Sequence, residues 1–332
     1  MGGNAHKHIK VDRLSTEVWI GVADRLKAAL MATHKFKEVV AQRRDPDKVT
    51  HGDLDLMALL HTTLPQQDLN ELCTKIGLTD KAEDHSYIYR FRDGVYQVDL
   101  NIVETKQAFD LTHFCLSYGD VGMIIPFYLK RLDLRLTREN GLCYAVKLPL
   151  HGTMKYYSIT TDVVQICDIL GLEYTKWHSG FKSRQDVFDW LAPLEYGSIT
   201  PCAFKKKYEK REMLQQYIAL KCAQPNQKSK SQVRERIYNV LHDLDRFQLV
   251  LKEHEMEIAK EAFDVKFKKA FNGSIVTTHL REAHAMELKG LELGAFMSNL
   301  RKRLLPNEIP SHVTIKDLID CQVMNDKEMT KR

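Results

Sequence analysis

The stretch His51-Gly52-Asp53-Leu54-Asp55-Leu56-Met57 (HGDLDLM) decides the predicted fold, because it alternates polar and apolar side chains. Side chains two residues apart on a β-strand lie on the same face of the sheet. The pattern therefore predicts a short strand with its leucines on one face and Asp53 and Asp55 together on the other. Such a pair taken alone is as typical of a solvated face as of a functional site, so its interpretation depends on a further acidic residue.

A second acidic strand is predicted in a hairpin further along the chain. Tyr87–Arg92 and Val95–Val103 have the composition of strands, and Asp93-Gly94 joins them. Asp-Gly between alternating residues is the strongest short-range hairpin signal. One face of the second strand carries Val95, Gln97, Asp99 and Asn101. If the two acidic strands are neighbours, Asp99 joins the first pair of aspartates.

Three clustered carboxylates favour a metal site. Like charges at this spacing repel one another unless divalent cations neutralise them. Oxygen ligands suit Mg²⁺, which keeps waters and substrate phosphates in its coordination shell. Two ions about 3.5–4 Å apart can activate an attacking hydroxyl and stabilise a leaving pyrophosphate. The sequence therefore predicts two Mg²⁺ ions at Asp53, Asp55 and Asp99, which serve as metal ligands and as catalytic residues.

The chain is predicted to divide into a mixed half and a helical half. Apolar spacing predicts helices over Thr16–Val40, Leu64–Leu78 and Val121–Leu136. Two more strands are predicted over Leu142–Leu148 and Met154–Ile159, and beyond Thr160 nearly every segment has helical periodicity. We therefore predict an α+β fold. A mixed sheet with helices forms a domain over residues 1–157, and a mostly α-helical domain follows over residues 158–332.

Composition narrows the class of protein. The 332 residues are 44% hydrophobic and 28% charged, which is typical of folded domains and excludes disordered and fibrous chains. No stretch approaches the ~20 consecutive apolar residues of a membrane-spanning helix, and no secretory signal is recognised. The seven cysteines are scattered and never spaced C-x-x-C. These features predict a cytoplasmic protein without a membrane partner, and the net charge of +5 permits a polyanionic partner without arguing for one.

The two acidic strands resemble the core of the polymerase-β-like nucleotidyltransferase superfamily, which has Gly-Asp-h-Asp-h on one strand and h-Asp-h on another (h is apolar). More narrowly, the opening Gly2-Gly3-Asn4-Ala5, then HGDLDLM and then YQVDLNIV (Tyr96–Val103) resemble the nucleotidyltransferase-like proteins of large bacteriophages and related viruses. Weaker similarity continues to Gly290–Phe296, which also resembles the helical tail of poly(A)- and CCA-adding enzymes. The two acidic strands and the N-terminal motif are the specific part of the resemblance.

The resemblance implies a nucleotidyltransferase palm and transfer of a nucleoside monophosphate from an NTP to a hydroxyl, with an RNA 3′ end as the leading acceptor. Asp53 and Asp55 would hold both Mg²⁺ ions, and Asp99 would complete the ion nearer the acceptor. A viral chain would act in the host cytoplasm. Two alternatives stay open: a palm without catalysis that binds nucleic acid or acts as a scaffold, and an enzyme that nucleotidylates a protein or small molecule. Oligomeric state is left open.

The chain departs from the superfamily pattern in the motif that binds the triphosphate of the nucleotide. Relatives carry Gly-Ser or Gly-Gly about ten residues before the first aspartate, where backbone N–H groups hold phosphate. This chain has Ala41-Gln42-Arg43-Arg44 there. Either the N-terminal glycines replace that motif, or the two arginines bind phosphate as charges, or nucleotide binding is weakened. The predicted nucleotide-binding residues are Gly2, Gly3, Asn4, Arg43, Arg44 and Gly52.

A basic segment is predicted to contact nucleic acid. Its cations are Lys205, Lys206, Lys207, Lys210 and Arg211, with Tyr208 among them. Interleaved cations suit a polynucleotide backbone, and a solvated helix face is the alternative. His6 and His8 are interpreted as part of a mobile polar N-terminus rather than as metal ligands, and Trp177 and Trp190 as core residues.

Overall fold

The computed structural model describes residues 5–6, 8–82, 85–150, 152–197, 209–223, 228–270, 273–284, 290–304, 319–320 and 322–323. The chain forms two compact units. Unit 1 comprises Met1–Val146 and Lys155–Val250, and unit 2 comprises Lys147–Met154 and Leu251–Arg332.

A five-stranded mixed sheet forms the centre of unit 1. Its strands are β2 (Phe36–Ala41), β4 (Asp53–Leu60), β5 (Leu78–Ala82), β6 (Ser86–Phe91) and β7 (Gly94–Val103), in the order β2-β4-β7-β6-β5. The β4–β7 pair is parallel and the other pairs are antiparallel. Beyond Asp55, the run Leu56–Leu60 is at most 5% exposed, as expected for a central strand covered on both faces.

Two helices cover opposite faces of this sheet, α1 (Thr16–Ala32) and α3 (Lys106–Leu116). Leu54 and Leu56 belong to the core that includes the buried face of α1, whereas Met57 and Leu59 pack with Phe109 of α3. Because side chains alternate along a strand, Asp53 and Asp55 lie on the same face as Met57. The acidic pair is therefore on the α3 face, at the start of β4.

The remaining helices described in unit 1 are α2 (Gln66–Lys75), α4 (Val121–Lys130), α5 (Val163–Leu170), α6 (Tyr174–Ser179), α7 (Arg184–Leu191), α8 (Glu212–Ala223) and α9 (Lys230–His242), with a 3₁₀-helix at Ala192–Leu194. Two small sheets accompany them. One pairs β1 (Leu14–Ser15) with β3 (Thr50–His51), and the other has the order β10-β9-β8, made of β8 (Leu134–Thr137), β9 (Gly141–Lys147) and β10 (Met154–Thr160). Three further helices follow, α10 (Asp245–Ala270), α11 (Gly273–His284) and α12 (Gly290–Leu304).

The predicted mixed α+β class with a helical C-terminal region is confirmed, as is the hairpin of β6 and β7. The predicted turn at Asp93-Gly94 is wrong by one residue, because Gly94 pairs with Phe91 and the turn residues are Arg92 and Asp93. Two predicted helices were too long. The helix over Thr16–Val40 ends at Ala32 and the chain continues as β2, and the helix over Val121–Leu136 ends at Lys130 before β8. Both misassigned segments pair with a neighbouring strand, so tertiary hydrogen bonding overrides their local helical periodicity.

The predicted domain boundary between residues 157 and 158 stays a prediction. In the structure α5 contacts both α3 and α9, and unit 1 extends to Val250. The first part of the predicted helical half therefore packs within unit 1. In the part of the chain that the structure describes, no helix is long and apolar enough to cross a membrane.

Candidate active site

The structure brings the three predicted aspartates together on neighbouring strands. In the parallel β4–β7 pair, Asp53 lies opposite Gln97 and Asp55 lies opposite Asp99. Residues in register on adjacent strands, and residues two apart on one strand, share a face. All three carboxylates therefore project from one face of the sheet.

Burial and mutual repulsion shift the ionisation of this acidic cluster. The pKa of Asp53 is raised, first by desolvation and then by the charge of Asp99, while Lys48 and Arg13 act in the opposite direction. The pKa of Asp55 is raised well above its usual range by desolvation and by the other two aspartates, and Arg138 opposes this. A bound divalent cation reverses this balance, because it favours the ionised form of each carboxylate. Three hard oxygen ligands of this kind fit Mg²⁺.

Hydrogen bonds fix the orientation of Asp99. Its Oδ1 accepts from Ser86 Oγ at 2.7 Å and from Gln97 Nε2 at 2.9 Å. Ser86 lies opposite Asp99 on β6, so Ser86, Asp99 and Asp55 form a row across the three strands β6, β7 and β4. These bonds occupy Oδ1 and hold the carboxylate in place, so that Oδ2 is the oxygen through which Asp99 can bind a ligand.

Ala5, the last residue of the N-terminal motif, and His6 after it lie against this row. The backbone N–H of Ala5 donates to Gln97 Oε1 at 3.1 Å, and His6 Nε2 lies 3.5 Å from Ser86 Oγ. His6 is buried, so its interpretation as part of a mobile N-terminus is wrong. The predicted residues Gly2, Gly3 and Asn4 lie outside the described residues.

Gln42 lies in the segment where the superfamily pattern has glycine, and it contacts the acidic cluster. The orientation of its amide is assigned from the donors and acceptors around it, so that the nitrogen faces acceptors. In that orientation Nε2 donates to Asp55 Oδ2 at 2.6 Å and to the carbonyl of Leu116 at 3.2 Å. A side-chain donor thus binds Asp55 at the place where backbone donors for a triphosphate were expected.

A cavity of about 210 Å³ opens beside Gly52, the residue before Asp53. We call it the Gly52 cavity. Five cations line it, namely Arg13, Lys48, Arg184, Lys210 and Arg211. Arg184 pairs with Asp45 and Glu212, and Arg211 pairs with Asp120. Among the described residues the other three cations have no carboxylate partner, which leaves positive charge suited to phosphate.

The structure describes only two of the five cations in the predicted basic segment. Lys210 and Arg211 line the Gly52 cavity together with Gly52, the residue that precedes Asp53. Lys205, Lys206 and Lys207 lie outside the described residues.

Arg184 connects the walls of the Gly52 cavity. It is 3% exposed, and its Nε donates to both carboxylate oxygens of Asp45 at 2.8 and 3.0 Å. Its Nη1 donates to Glu212 and Gln216, both at 2.9 Å, and its backbone N–H donates to Asp47. The guanidinium thereby ties α7 and α8 to the loop that carries Lys48.

Arg43 and Arg44 lie at a different cavity, of about 610 Å³, together with Lys27 and Lys182. The Arg43 guanidinium lies 5.2 Å from the centroid of the Trp177 ring, and Arg44 lies 5.5 Å from that of Trp19. No carboxylate is among its described lining residues. The structure therefore separates these two arginines from the Gly52 cavity. Trp177 and Trp190 are buried, which confirms their prediction as core residues.

His51 contributes packing rather than charge. Burial, followed by the charges of Lys48, Arg44 and Arg13, lowers the pKa of His51 to about 4. The imidazole is therefore neutral near pH 7, and it lies against the Trp19 ring at a centroid distance of 5.8 Å. The positive charge beside Asp53 comes from the lysines and arginines.

Sequence reasoning missed several residues of the site. Arg13, Lys48, Ser86 and Arg184 were not predicted, and each comes from a different segment of the chain. None of them lies in a local sequence pattern that identifies it as a site residue. Gln97 is different, since strand alternation had already placed it on the face of Asp99.

Compared with models of known protein families, the chain matches none, and no curated protein is significantly similar to it. An assignment of function therefore depends on the geometry of the site and on the motifs.

Proposed function

We propose that the chain is a Mg²⁺-dependent nucleotidyltransferase of the polymerase-β-like type, with its palm in unit 1. It would transfer a nucleoside monophosphate from an NTP to a hydroxyl, with an RNA 3′ end as the leading acceptor. The register of β4 and β7 carries this proposal, because it sets Asp55 opposite Asp99 with Asp53 on the same face. The raised pKa values of Asp53 and Asp55 support it, since a buried cluster of like charges is stabilised by bound cations.

The residues divide the work of the proposed reaction. Asp53 and Asp55 would hold both Mg²⁺ ions, and Asp99 would complete the ion nearer the acceptor. When bound, the ions would neutralise phosphate charge and favour ionisation of the attacking hydroxyl. Asp99, held through Oδ1 by Ser86 and Gln97, orients the acceptor hydroxyl with its other oxygen. Positioning and charge supply most of the rate in phosphoryl transfer.

The Gly52 cavity supplies the triphosphate site in this proposal. Arg13, Lys48 and Lys210 offer positive charge without a carboxylate partner among the described residues. Charge-assisted hydrogen bonds to phosphate oxygens are shorter and stronger than neutral ones. These cations would replace the glycine motif that the chain lacks.

The proposal is tested by incubating the full chain with each labelled NTP, MgCl₂ and total RNA. We expect label to enter RNA only when Mg²⁺ is present. Label on protein or on a small molecule would instead favour the alternative acceptors. No transfer, together with no Mg²⁺-dependent NTP binding, would contradict the enzyme.

One observation favours the second candidate function, a palm without catalysis that binds nucleic acid. The Gln42 amide bonds Asp55 Oδ2 and competes with a metal ion for that carboxylate. The cavity of Arg43 and Arg44 offers cations for a polynucleotide backbone. This candidate predicts RNA binding that is independent of Mg²⁺ and no transfer of label.

Lys48→Ala is expected to raise the KM for NTP about tenfold and to change kcat less than about threefold. The lysine lines the Gly52 cavity, and a hydrogen bond to a charged group contributes about 1.5–3 kcal/mol, where 1.4 kcal/mol is a factor of ten. Steady-state kinetics at saturating acceptor measure the effect. Lys75→Ala on α2, where the side chain is exposed, is the matched control. An unchanged KM in Lys48→Ala would remove this lysine from the triphosphate site.

A further inference from the structure

We propose that His279, His284 and Asp320 of unit 2 form a binding site for Zn²⁺ or a chemically similar transition-metal ion, independent of the proposed function. Both histidines are on α11, and their Nε2 atoms meet Asp320 Oδ1 at 2.7 and 2.6 Å. The three ligand atoms all lie within 4.8 Å of one another. Three donors from separated positions thus converge on one point.

The chemistry of these donors selects the metal. Imidazole nitrogen suits Zn²⁺, Cu²⁺, Ni²⁺ and Fe²⁺, whereas Mg²⁺ prefers oxygen ligands. Two histidines and one carboxylate form a known Zn²⁺ ligand set that leaves one tetrahedral position for water. The imidazoles are only 11% and 16% exposed, while the Asp320 side chain is 44% exposed. The open position therefore faces solvent, and the site differs in chemistry from the acidic cluster.

The hydrogen bonds hold the three ligand atoms close to the spacing that a metal ion requires. Ligand atoms in a tetrahedral zinc shell are about 3.3 Å apart, from bond lengths of about 2.0–2.1 Å. Small side-chain rotations that separate each Nε2 from Oδ1 by about 0.6 Å would admit the ion. The Nε2 proton that each imidazole shares with Asp320 Oδ1 would pass to solvent as the ion binds, and Nδ1 would carry the remaining or newly taken-up proton, so that each neutral imidazole binds the ion through its Nε2 lone pair.

A packed core holds the ligands in position. Leu280, next to His279, and Ile319, next to Asp320, are completely buried in one apolar cluster that includes Val276. Ligands on a rigid framework lose less conformational entropy when they bind. The ion would also link α11 to a segment 36 residues beyond His284, so its binding would stabilise unit 2.

Titration of the full chain with ZnCl₂ tests the site. The protein is first treated with a chelator, and excess MgCl₂ is kept present to occupy oxygen-ligand sites. We expect one equivalent of Zn²⁺ to bind with a Kd of about 1 µM or tighter by calorimetry. We also expect Zn²⁺ to raise the thermal unfolding midpoint and EDTA to reverse the rise.

His279→Gln and His284→Gln separate metal binding from the hydrogen bonds. A glutamine amide can still donate to Asp320 but is a poor zinc ligand. Each variant is expected to weaken Zn²⁺ binding about 100-fold and to keep the metal-free unfolding midpoint. His61→Gln, at an exposed histidine of unit 1, is expected to bind Zn²⁺ like the unmodified chain. No stoichiometric binding by the unmodified chain, or binding by both glutamine variants as tight as that of the unmodified chain, would overturn the site.

Discussion

Asp53→Ala is expected to lower nucleotide transfer by roughly 10³-fold while the protein stays folded. Asp53 is the carboxylate proposed to be shared by both Mg²⁺ ions, and a metal ion supplies several kcal/mol of stabilisation to charge in the transition state. A loss of about 4 kcal/mol corresponds to a factor of about 10³. Labelled-NTP transfer at saturating Mg²⁺ measures the effect.

The stability of the same variant checks the electrostatic argument. The pKa of Asp53 is raised in the fold, so the folded protein binds this proton more readily than the unfolded chain. Its contribution to stability is then fully present below the unfolded pKa and is lost as pH rises through the folded pKa. Without Mg²⁺ at neutral pH, removal of the carboxylate relieves repulsion, and thermal unfolding is expected at an equal or higher temperature.

The matched control for Asp53→Ala is Asp68→Ala on α2, an exposed aspartate that is expected to leave transfer unchanged. Full activity in Asp53→Ala would show that the acidic cluster is not the active site. A clear fall in the unfolding temperature would show that Asp53 stabilises the fold rather than holding metal.

Arg184→Leu is expected to destabilise the protein by about 3–5 kcal/mol, the usual cost of leaving one partner of a buried ion pair uncompensated. Asp45 is 4% exposed, and in the variant its carboxylate loses both hydrogen bonds from the Arg184 Nε. The Arg184 side-chain bonds to Glu212 and Gln216 on α8 are also lost, whereas the backbone N–H of residue 184 can still donate to Asp47. The midpoint and slope of urea unfolding measure the free energy.

Two further variants show whether burial of the Arg184–Asp45 ion pair causes the loss of stability. Glu17→Gln weakens an exposed pair with Arg92, in which the side chains are 82% and 63% exposed, and should cost no more than about 1 kcal/mol. Adding Asp45→Leu to Arg184→Leu removes the uncompensated charge and should recover part of the lost stability. A loss below about 1 kcal/mol in Arg184→Leu would contradict the structural role of this pair.

Local sequence was enough to predict the two acidic strands, β4 and β7. Alternation in HGDLDLM placed Asp53 and Asp55 on one face, and the Asp93-Gly94 signal predicted the hairpin that presents Asp99, within one residue of its observed turn. Both signals depend on a few adjacent residues, because strand periodicity and turn chemistry act over that range. The same local logic failed for β2 and β8. Their periodicity suits a helix, and pairing with another strand, β4 for β2 and β9 for β8, decides their conformation.

By itself, the sequence determined the mixed α+β class, the two acidic strands and the face on which their aspartates lie. Only the tertiary structure decided that β4 and β7 are parallel neighbours in a register that joins Asp55 to Asp99. It alone brought Arg184 to Asp45, 139 residues away, and His284 to Asp320. Strand and turn patterns follow from neighbouring residues, whereas pairing and ion contacts depend on packing between segments that are far apart in the chain and carry no local mark.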